Sequence, residues 1–256
     1  MKLVIGVINV TPDSFSDGGD YFDARLAIAK GYQMIEDGCG IIDVGGESTR
    51  PGAVPTDEEE EARRILPVIA ELSKAVRISV DTAKASVARR AVEAGATILN
   101  DISASLAEVA AREGVAWLAM HMQGNPRTMQ DKPHYHDVVS EVCGFLAERA
   151  KWATELGISE VWVDPGIGFG KTSEHNLELL ANIDHVVALG HPVVVGTSRK
   201  GFLGRIAASF EGAVPPPKDR LEGSLATAAW CYANGVTAMR VHDVAETAQL
   251  LGLGAY

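Results

Sequence analysis

The chain has 256 residues, 46% of them apolar and 22% charged, the composition of an ordinary globular protein long enough to bury a substantial core. Its 23 Lys and Arg against 34 Asp and Glu leave a formal net charge of −11, which excludes non-specific binding to nucleic acid or to an anionic membrane surface. The three cysteines, Cys39, Cys143 and Cys231, are too widely spaced for a close metal-ligand pair and fit buried thiols in a reducing, cytoplasmic compartment.

The first strand is expected at once, over Leu3–Ile8, a start that does not read as a secretory leader. Further short β-branched runs follow at Gly40–Val44, Arg77–Val80, Thr97–Leu99, Val115–Met120, Glu160–Val163, Pro192–Val195 and Thr237–Met239. Each is bounded by glycine or polar residues, as buried parallel strands are. Between them lie stretches rich in Ala, Leu, Glu and Arg. Thr56 with Glu59 reads as a capping box opening a helix over Asp57–Ala75, with the acidic run Asp57–Glu61 in its dipole-favoured first turn. Thr82 or Ser86 opens a helix that Gly95 ends, Ser173 opens one that Gly190 ends, and Asn234-Gly235 ends the helix before the last strand. Eight strands alternating with about eight helices imply a parallel sheet, and that count in this length is a TIM (β/α)8 barrel, read as one α/β domain over residues 1–256. A doubly wound open sheet is the alternative, but the first turn, Asn9-Val10-Thr11-Pro12-Asp13, lacks the glycines of its nucleotide-binding versions.

A barrel puts its chemistry just beyond the C-terminal ends of the strands. Those ends carry Asn9, Asp43, Asp81-Thr82, Asn100-Asp101, His121-Met122, Asp164-Pro165-Gly166, Ser198-Arg199-Lys200 and Arg240-Val241-His242. Arg50, Arg240 and His242, with Lys200 near, form an anion clamp, since the arginine fork matches phosphate oxygens. Asp81, Asn100 and Asp164 suit a planar heterocycle, because a carboxylate accepts two parallel N–H bonds from a 2-amino-pyrimidinone edge. Taken alone, that trio equally suits a sugar, a divalent metal or a general-base pair. Asn9 offers one hard oxygen for Mg2+ beside the clamp. The run from Pro165 to Thr172 ends like a P-loop, but Pro165 stands where the first glycine must be, so its glycines are expected to make a tight turn that brings backbone N–H groups near the pocket. His134 and His136 read as a solvated loop, and His175, His185 and His191 as surface or capping residues.

The run Asn9–Gly19 resembles the first signature loop of the dihydropteroate synthase family, and Asp43–Gly52 resembles its second. Ser79–Thr82, Asn100-Asp101, Asp164–Lys171, Ser198–Lys200 and Arg240–Asp243 are similar to the remaining blocks, in order, so the resemblance spans essentially the whole chain. It implies a TIM barrel of folate synthesis that joins 4-aminobenzoate to 7,8-dihydropterin-6-ylmethyl diphosphate, a family that sulfonamides target. Carried over by position, Asp81, Asn100, Asp164 and Lys200 hold the pterin. Thr49, Arg50, Arg240 and His242 hold the diphosphate, and Asn9 is the magnesium ligand. Phe15, Pro51 and Lys200 border the aminobenzoate, with Phe169 also at the substrate site. Asp17, on the first closing loop, would stabilise a pterinylmethyl cation or order the loop. The resemblance also implies a homodimer through the last helices. A pterin-binding methyltransferase acting on a corrinoid protein would share Asp81, Asn100 and Asp164 but needs no diphosphate clamp; a non-catalytic pterin-binding barrel is the other alternative. Two departures from the family pattern are Ala104 and Ser105, where glycine is expected, and Gly201, where serine is common and where the hold on the aminobenzoate carboxylate changes.

Overall fold

A computed structural model describes residues 2–11, 20–48 and 55–252. Strands and helices alternate along it: β1 Leu3–Asn9, α1 Asp20–Glu36, β2 Ile41–Gly45, α2 Glu58–Leu72, β3 Arg77–Asp81, α3 Ala85–Glu93, β4 Ile98–Asp101, α4 Ala107–Glu113, β5 Ala116–Met120 and α5 Val138–Glu155. The second half continues with β6 Val161–Asp164, α6 Ser173–Ala181, α7 Ile183–Val187, β7 Val194–Val195, α8 Gly201–Glu211, α9 Leu221–Ala233, β8 Ala238–Val241 and α10 Val244–Leu250. The eight strands form one sheet in the order β6-β5-β4-β3-β2-β1-β8-β7, every neighbouring pair parallel. A single parallel bridge between Val163 and Val193 brings β6 to the start of β7 and closes the barrel. All eight strands lie where the sequence places them, and the barrel replaces the open-sheet alternative.

Strand alternation sorts the core into two layers. Ile5, Ile41, Ile98, Ala116, Leu118, Trp162, Val194 and Ala238 form a compact cluster inside the barrel. The opposite faces, with Ile8, Ile42, Val44, Ile78, Val80, Leu99, Trp117 and Val163 among them, join the inner faces of the helices in the larger outer layer. At the N-terminal end of the barrel, Arg77 grips Glu160 with two parallel bonds of 2.8 and 2.7 Å, and Trp162 Nε1 donates to the same carboxylate. That pairing ties β3 to the approach of β6 and leaves the chemistry to the other end.

Two helix starts differ from the sequence reading. Asp57, not Thr56, caps α2 by accepting the Glu60 N–H at 2.8 Å, and the Thr56 N–H, which a capping box would give to Glu59, goes to Glu47 Oε1 at 2.9 Å. The helix expected from Ser173 to Gly190 is capped by Thr172 in a capping box with His175, then breaks at Asn182 into α6 and α7. Helix α3 has no side-chain cap; Thr82 accepts the Lys84 N–H in a short turn before it. Ala104, at a position where glycine is expected, has φ +49°, the left-handed region where glycine is at ease.

Candidate active site

The same alternation that fills the barrel aims the site. Ile41, Ile98, Trp162 and Ala238 point into the barrel, and two residues later on the same strands stand Asp43, Asn100, Asp164 and Arg240. Asp81 ends β3 in register with Asn100 on one side and Gly45 on the other. One layer of apolar side chains is therefore capped by one layer of polar ones at the C-terminal mouth.

Arg240 organises the first half of that layer. Its Nε donates to Asp43 Oδ2 at 2.6 Å and its Nη2 to Asp81 Oδ2 at 2.8 Å, while Asn100 Nδ2 donates to the same Asp43 oxygen at 3.1 Å. Asp43 is 1% exposed, and its other oxygen has no partner among the described residues. The sequence reading marked it only as a strand end; the signal available was its parity with Ile41, which turns it toward the barrel axis. Burial raises Asp81 to about 7 even against the attraction of Arg240. Burial opposes the Arg240 charge, but Asp43 and Asp81 outweigh it and hold the guanidinium firmly protonated.

The second half is built by the glycine-rich turn after β6. Gly166, Gly168 and Gly170 all have positive φ, as the expected tight turn requires. Two of their N–H groups are spent on side chains: Gly166 donates to Asp164 Oδ1 at 2.7 Å and Gly168 to Asn176 Oδ1 at 2.6 Å. A side chain at Gly166 would overlap the His121 carbonyl oxygen. Beneath the turn lies Lys171, only 1% exposed, whose Nζ meets His121 Nδ1 at 2.9 Å, Gly166 O at 3.0 Å and Phe169 O at 3.1 Å. Burial lowers Lys171 to about 7 and His121 to about 3, so the imidazole is neutral. The sequence reading set Lys171 aside with the failed P-loop. Above the turn, Lys200 donates to Ile167 O and stands 4.6 Å over the Phe169 ring. Burial brings Lys200 down to about 8, partly offset by Asp164. Asp164 is raised by burial, with Lys200 and Arg240 both pulling against the shift, so the carboxylate lies within electrostatic reach of both cations.

The two halves meet at glycines. A β-carbon on Gly196 would lie 3.8 Å from Arg240 Cβ and 3.9 Å from Lys200 Nζ. One on Gly45 would lie 3.5 Å from Asp81 Cβ and 3.7 Å from Asn9 Oδ1. His242, one residue beyond β8, exchanges bonds with Ser198: its ring Nδ1 is 3.1 Å from the hydroxyl and its N–H donates to the same oxygen at 3.2 Å. Burial, then Arg240, holds His242 down to about 3. Arg199 takes a positive φ of 60° so that Lys200 can turn inward, and its guanidinium is anchored on Asp243. The structure thus brings Asn9, Asp81, Asn100, Asp164, Phe169, Lys200, Arg240 and His242 to one mouth. Phe15, Asp17, Thr49, Arg50 and Pro51 lie outside the described residues.

For a divalent cation the donor set is sparse. No cluster of three His, Cys, Asp or Glu side chains suited to a metal occurs among the described residues. The Asn9 oxygen beside Asp81 fits Mg2+, which keeps most of its waters and takes few protein ligands when substrate phosphates complete its shell.

The chain matches the pterin binding enzyme family over residues 5–242. A Mycobacterium leprae dihydropteroate synthase is 43% identical over 257 residues, covering 97% of this chain and 90% of the relative. A Xanthomonas albilineans dihydropteroate synthase with 4-aminobenzoic acid superposes with a TM-score of 0.90 at 42% identity, covering 98% of this chain and 91% of that one. The same enzyme in complex with 7,8-dihydropteroate gives a TM-score of 0.86 at 40% identity over 98% and 92% of the two chains. On sequence, fold and the residues gathered at the barrel mouth, the chain belongs to the dihydropteroate synthase family of pterin-binding enzymes.

Proposed function

We propose that the chain condenses 7,8-dihydropterin-6-ylmethyl diphosphate with 4-aminobenzoate, giving 7,8-dihydropteroate and diphosphate. The observation that carries this reading is the Arg240 guanidinium, moored to Asp43 and Asp81, with Lys200 across Gly196 from it and Asp164 within electrostatic reach of both cations. A flat heterocycle fits one end and an anion the other. Asp164 accepts from the amino-pyrimidinone edge, Asn100 and Asp81 complete the ring's polar contacts, and Lys200 stands over its face. Arg240 and His242 receive the diphosphate, joined by Thr49 and Arg50. Phe15, Pro51, Phe169 and Lys200 border the aminobenzoate. Complexes of the X. albilineans neighbour with 4-aminobenzoic acid and with 7,8-dihydropteroate support both substrate halves.

The chemistry follows from charge placement. The bond between the pterin methylene carbon and the diphosphate oxygen breaks first, and its electron pair leaves with the diphosphate. Fixed cations at the leaving group are worth most in a site sheltered from water. Mg2+ bound at Asn9 would supply further charge neutralisation at the diphosphate. The methylene cation is delocalised into the electron-rich pterin, and Asp17, outside the described residues, would stabilise it or order its loop. The aminobenzoate nitrogen then attacks and releases a proton. Closure of the two signature loops would keep water from capturing the cation. Migration of oxygen isotope within the diphosphate in the absence of aminobenzoate is expected on this path, whereas a rate set by amine nucleophilicity contradicts it.

The reading as a whole is tested by mixing the protein with the pterin diphosphate, 4-aminobenzoate and magnesium. Dihydropteroate and diphosphate formed in equal amounts support it, and no diphosphate release overturns it. A cytoplasmic homodimer accompanies the reading. Its supports are three cysteines without disulfide partners and the outward Phe210 and Trp230 on α8 and α9, 87% and 50% exposed. Among the described residues no helix is long and apolar enough to cross a membrane.

A further inference from the structure

Lys171 is a buried amine that the reaction does not use. Among the described residues it meets neutral groups alone within hydrogen-bond distance, His121 Nδ1, Gly166 O and Phe169 O, with His121 O at 3.5 Å. Packing alone is a poor reason for such a residue, since an aliphatic side chain of the same length would fill the space without desolvating an ammonium. Its three close partners match in number the three N–H bonds of a protonated amine, with the neutral His121 ring able to accept one of them at Nδ1. They also sit at informative places. Gly166 turns its carbonyl to Lys171 and its N–H to Asp164. Phe169 turns its carbonyl to Lys171 and its ring to Lys200. Between them, Ile167 O takes the Lys200 amine. The turn is steadied from outside by Gln130 on Gly168 O at 2.7 Å and Tyr135 on Gly170 O at 2.9 Å.

We propose that Lys171 is a positioning residue, whose buried side chain draws the Gly166 and Phe169 carbonyls down and so fixes Asp164, Phe169 and Lys200 around the pterin ring. This rests on the assignment of the cavity to a pterin substrate. The clamp acts at the heterocycle end of the site. Arg240 and His242 are held independently, by Asp43, Asp81 and Ser198, so the diphosphate end does not depend on Lys171.

The test is calorimetric titration of the full-length protein with two probes, 6-hydroxymethylpterin alone and inorganic diphosphate with magnesium. Lys171→Met is expected to fold with a thermal midpoint close to wild type, relief from desolvating the amine offsetting the acceptors left unpaired, to bind 6-hydroxymethylpterin about tenfold or more weakly, and to bind diphosphate within about twofold of wild type. His121→Phe, which removes one acceptor and keeps the ring packing, is expected to weaken the pterin probe about threefold, again sparing diphosphate. Should Lys171→Met not fold, His121→Phe alone carries the test. Pterin affinity within twofold of wild type in a folded variant overturns the proposal, as does an equal loss for both probes, which marks a general structural role. Failure of the wild type itself to bind 6-hydroxymethylpterin overturns the substrate assignment beneath it, an outcome distinct from wild-type binding that the variants retain.

Discussion

Arg240 Nε lies 2.6 Å from Asp43 Oδ2, a bond that joins β8 to β2 across the intervening β1. It stitches the barrel mouth at the point where we propose the diphosphate is received. The guanidinium is pre-oriented before any anion arrives, and a buried carboxylate depends on it. Removal of either partner is therefore expected to show in both stability and turnover.

Arg240→Ala leaves Asp43 and Asp81 buried without their cation. The expected loss of transition-state stabilisation is roughly 2–4 kcal/mol, or about thirtyfold to a thousandfold in kcat/KM, by analogy with removed oxyanion donors. Steady-state kinetics with the pterin diphosphate checks it, and a near-wild-type rate refutes the clamp.

Asp43→Ala tests the other end of the same bond. Removing one partner of a buried ion pair costs about 3–5 kcal/mol of folding stability, because the remaining charge stays desolvated. Urea denaturation of the free protein is the measurement. Asp43 is 1% exposed and also receives Asn100, so a loss under about 1 kcal/mol contradicts its place as the mooring of the site.

Acid should weaken the fold through two imidazoles. Burial, seconded by neighbouring cations, depresses both His121 and His242 to about 3 in the folded state, whereas an unfolded histidine titrates near 6.5. Between those values the unfolded chain binds more protons than the folded one, so their contribution is fully present above about 6.5 and is lost as the pH falls toward 3. Urea midpoints at pH 7, 5.5 and 4 are expected to fall in that order, and His242→Asn should show a smaller fall than wild type. Parallel curves would show that His242 is not held neutral.

Gly166→Ala is expected to be among the most damaging single-methyl additions in the chain. The residue has φ +65°, and a β-carbon would enter the His121 carbonyl oxygen. Left-handed strain and overpacking together predict a stability loss of about 3 kcal/mol. The same change at Gly157, also at positive φ but with nothing within 4 Å of the added carbon, should cost only the strain.

The proposed metal site, in which Asn9 and substrate oxygens together hold Mg2+, predicts that chelation by EDTA stops turnover without lowering the thermal midpoint. Asn9→Ala is expected to raise the magnesium concentration needed for half-maximal rate about tenfold. An unchanged magnesium dependence removes Asn9 from the metal site.

The barrel was legible because alternating β-branched runs carry a signal that local sequence sets, and each polar strand end follows its strand by position alone. What the sequence left unread depends on contacts between distant residues. Asp43 looks like any strand-end carboxylate until β8 places Arg240 against it, 197 residues away. Lys171 looks like the end of a broken P-loop until β5 supplies His121, 50 residues earlier. Thr56 has the spacing of a cap, but its N–H goes to Glu47, outside the helix, and the capping oxygen is that of Asp57. The family's glycine opposite Ala104 becomes intelligible only with the backbone in view, because φ +49° is the conformation glycine adopts without strain. Phe15, Asp17, Thr49, Arg50 and Pro51 stay as sequence expectations, outside the described residues.

The central claim is that one cavity at the C-terminal mouth grips a pterin at Asp164 and its diphosphate at Arg240. A crystal structure with 7,8-dihydropterin-6-ylmethyl diphosphate and magnesium, without aminobenzoate, tests it most directly. The amino-pyrimidinone edge within hydrogen-bond distance of Asp164 and a diphosphate oxygen on the Arg240 guanidinium are predicted. A substrate bound with its ring away from Asp164, or with its diphosphate reaching no atom of Arg240, would contradict the account.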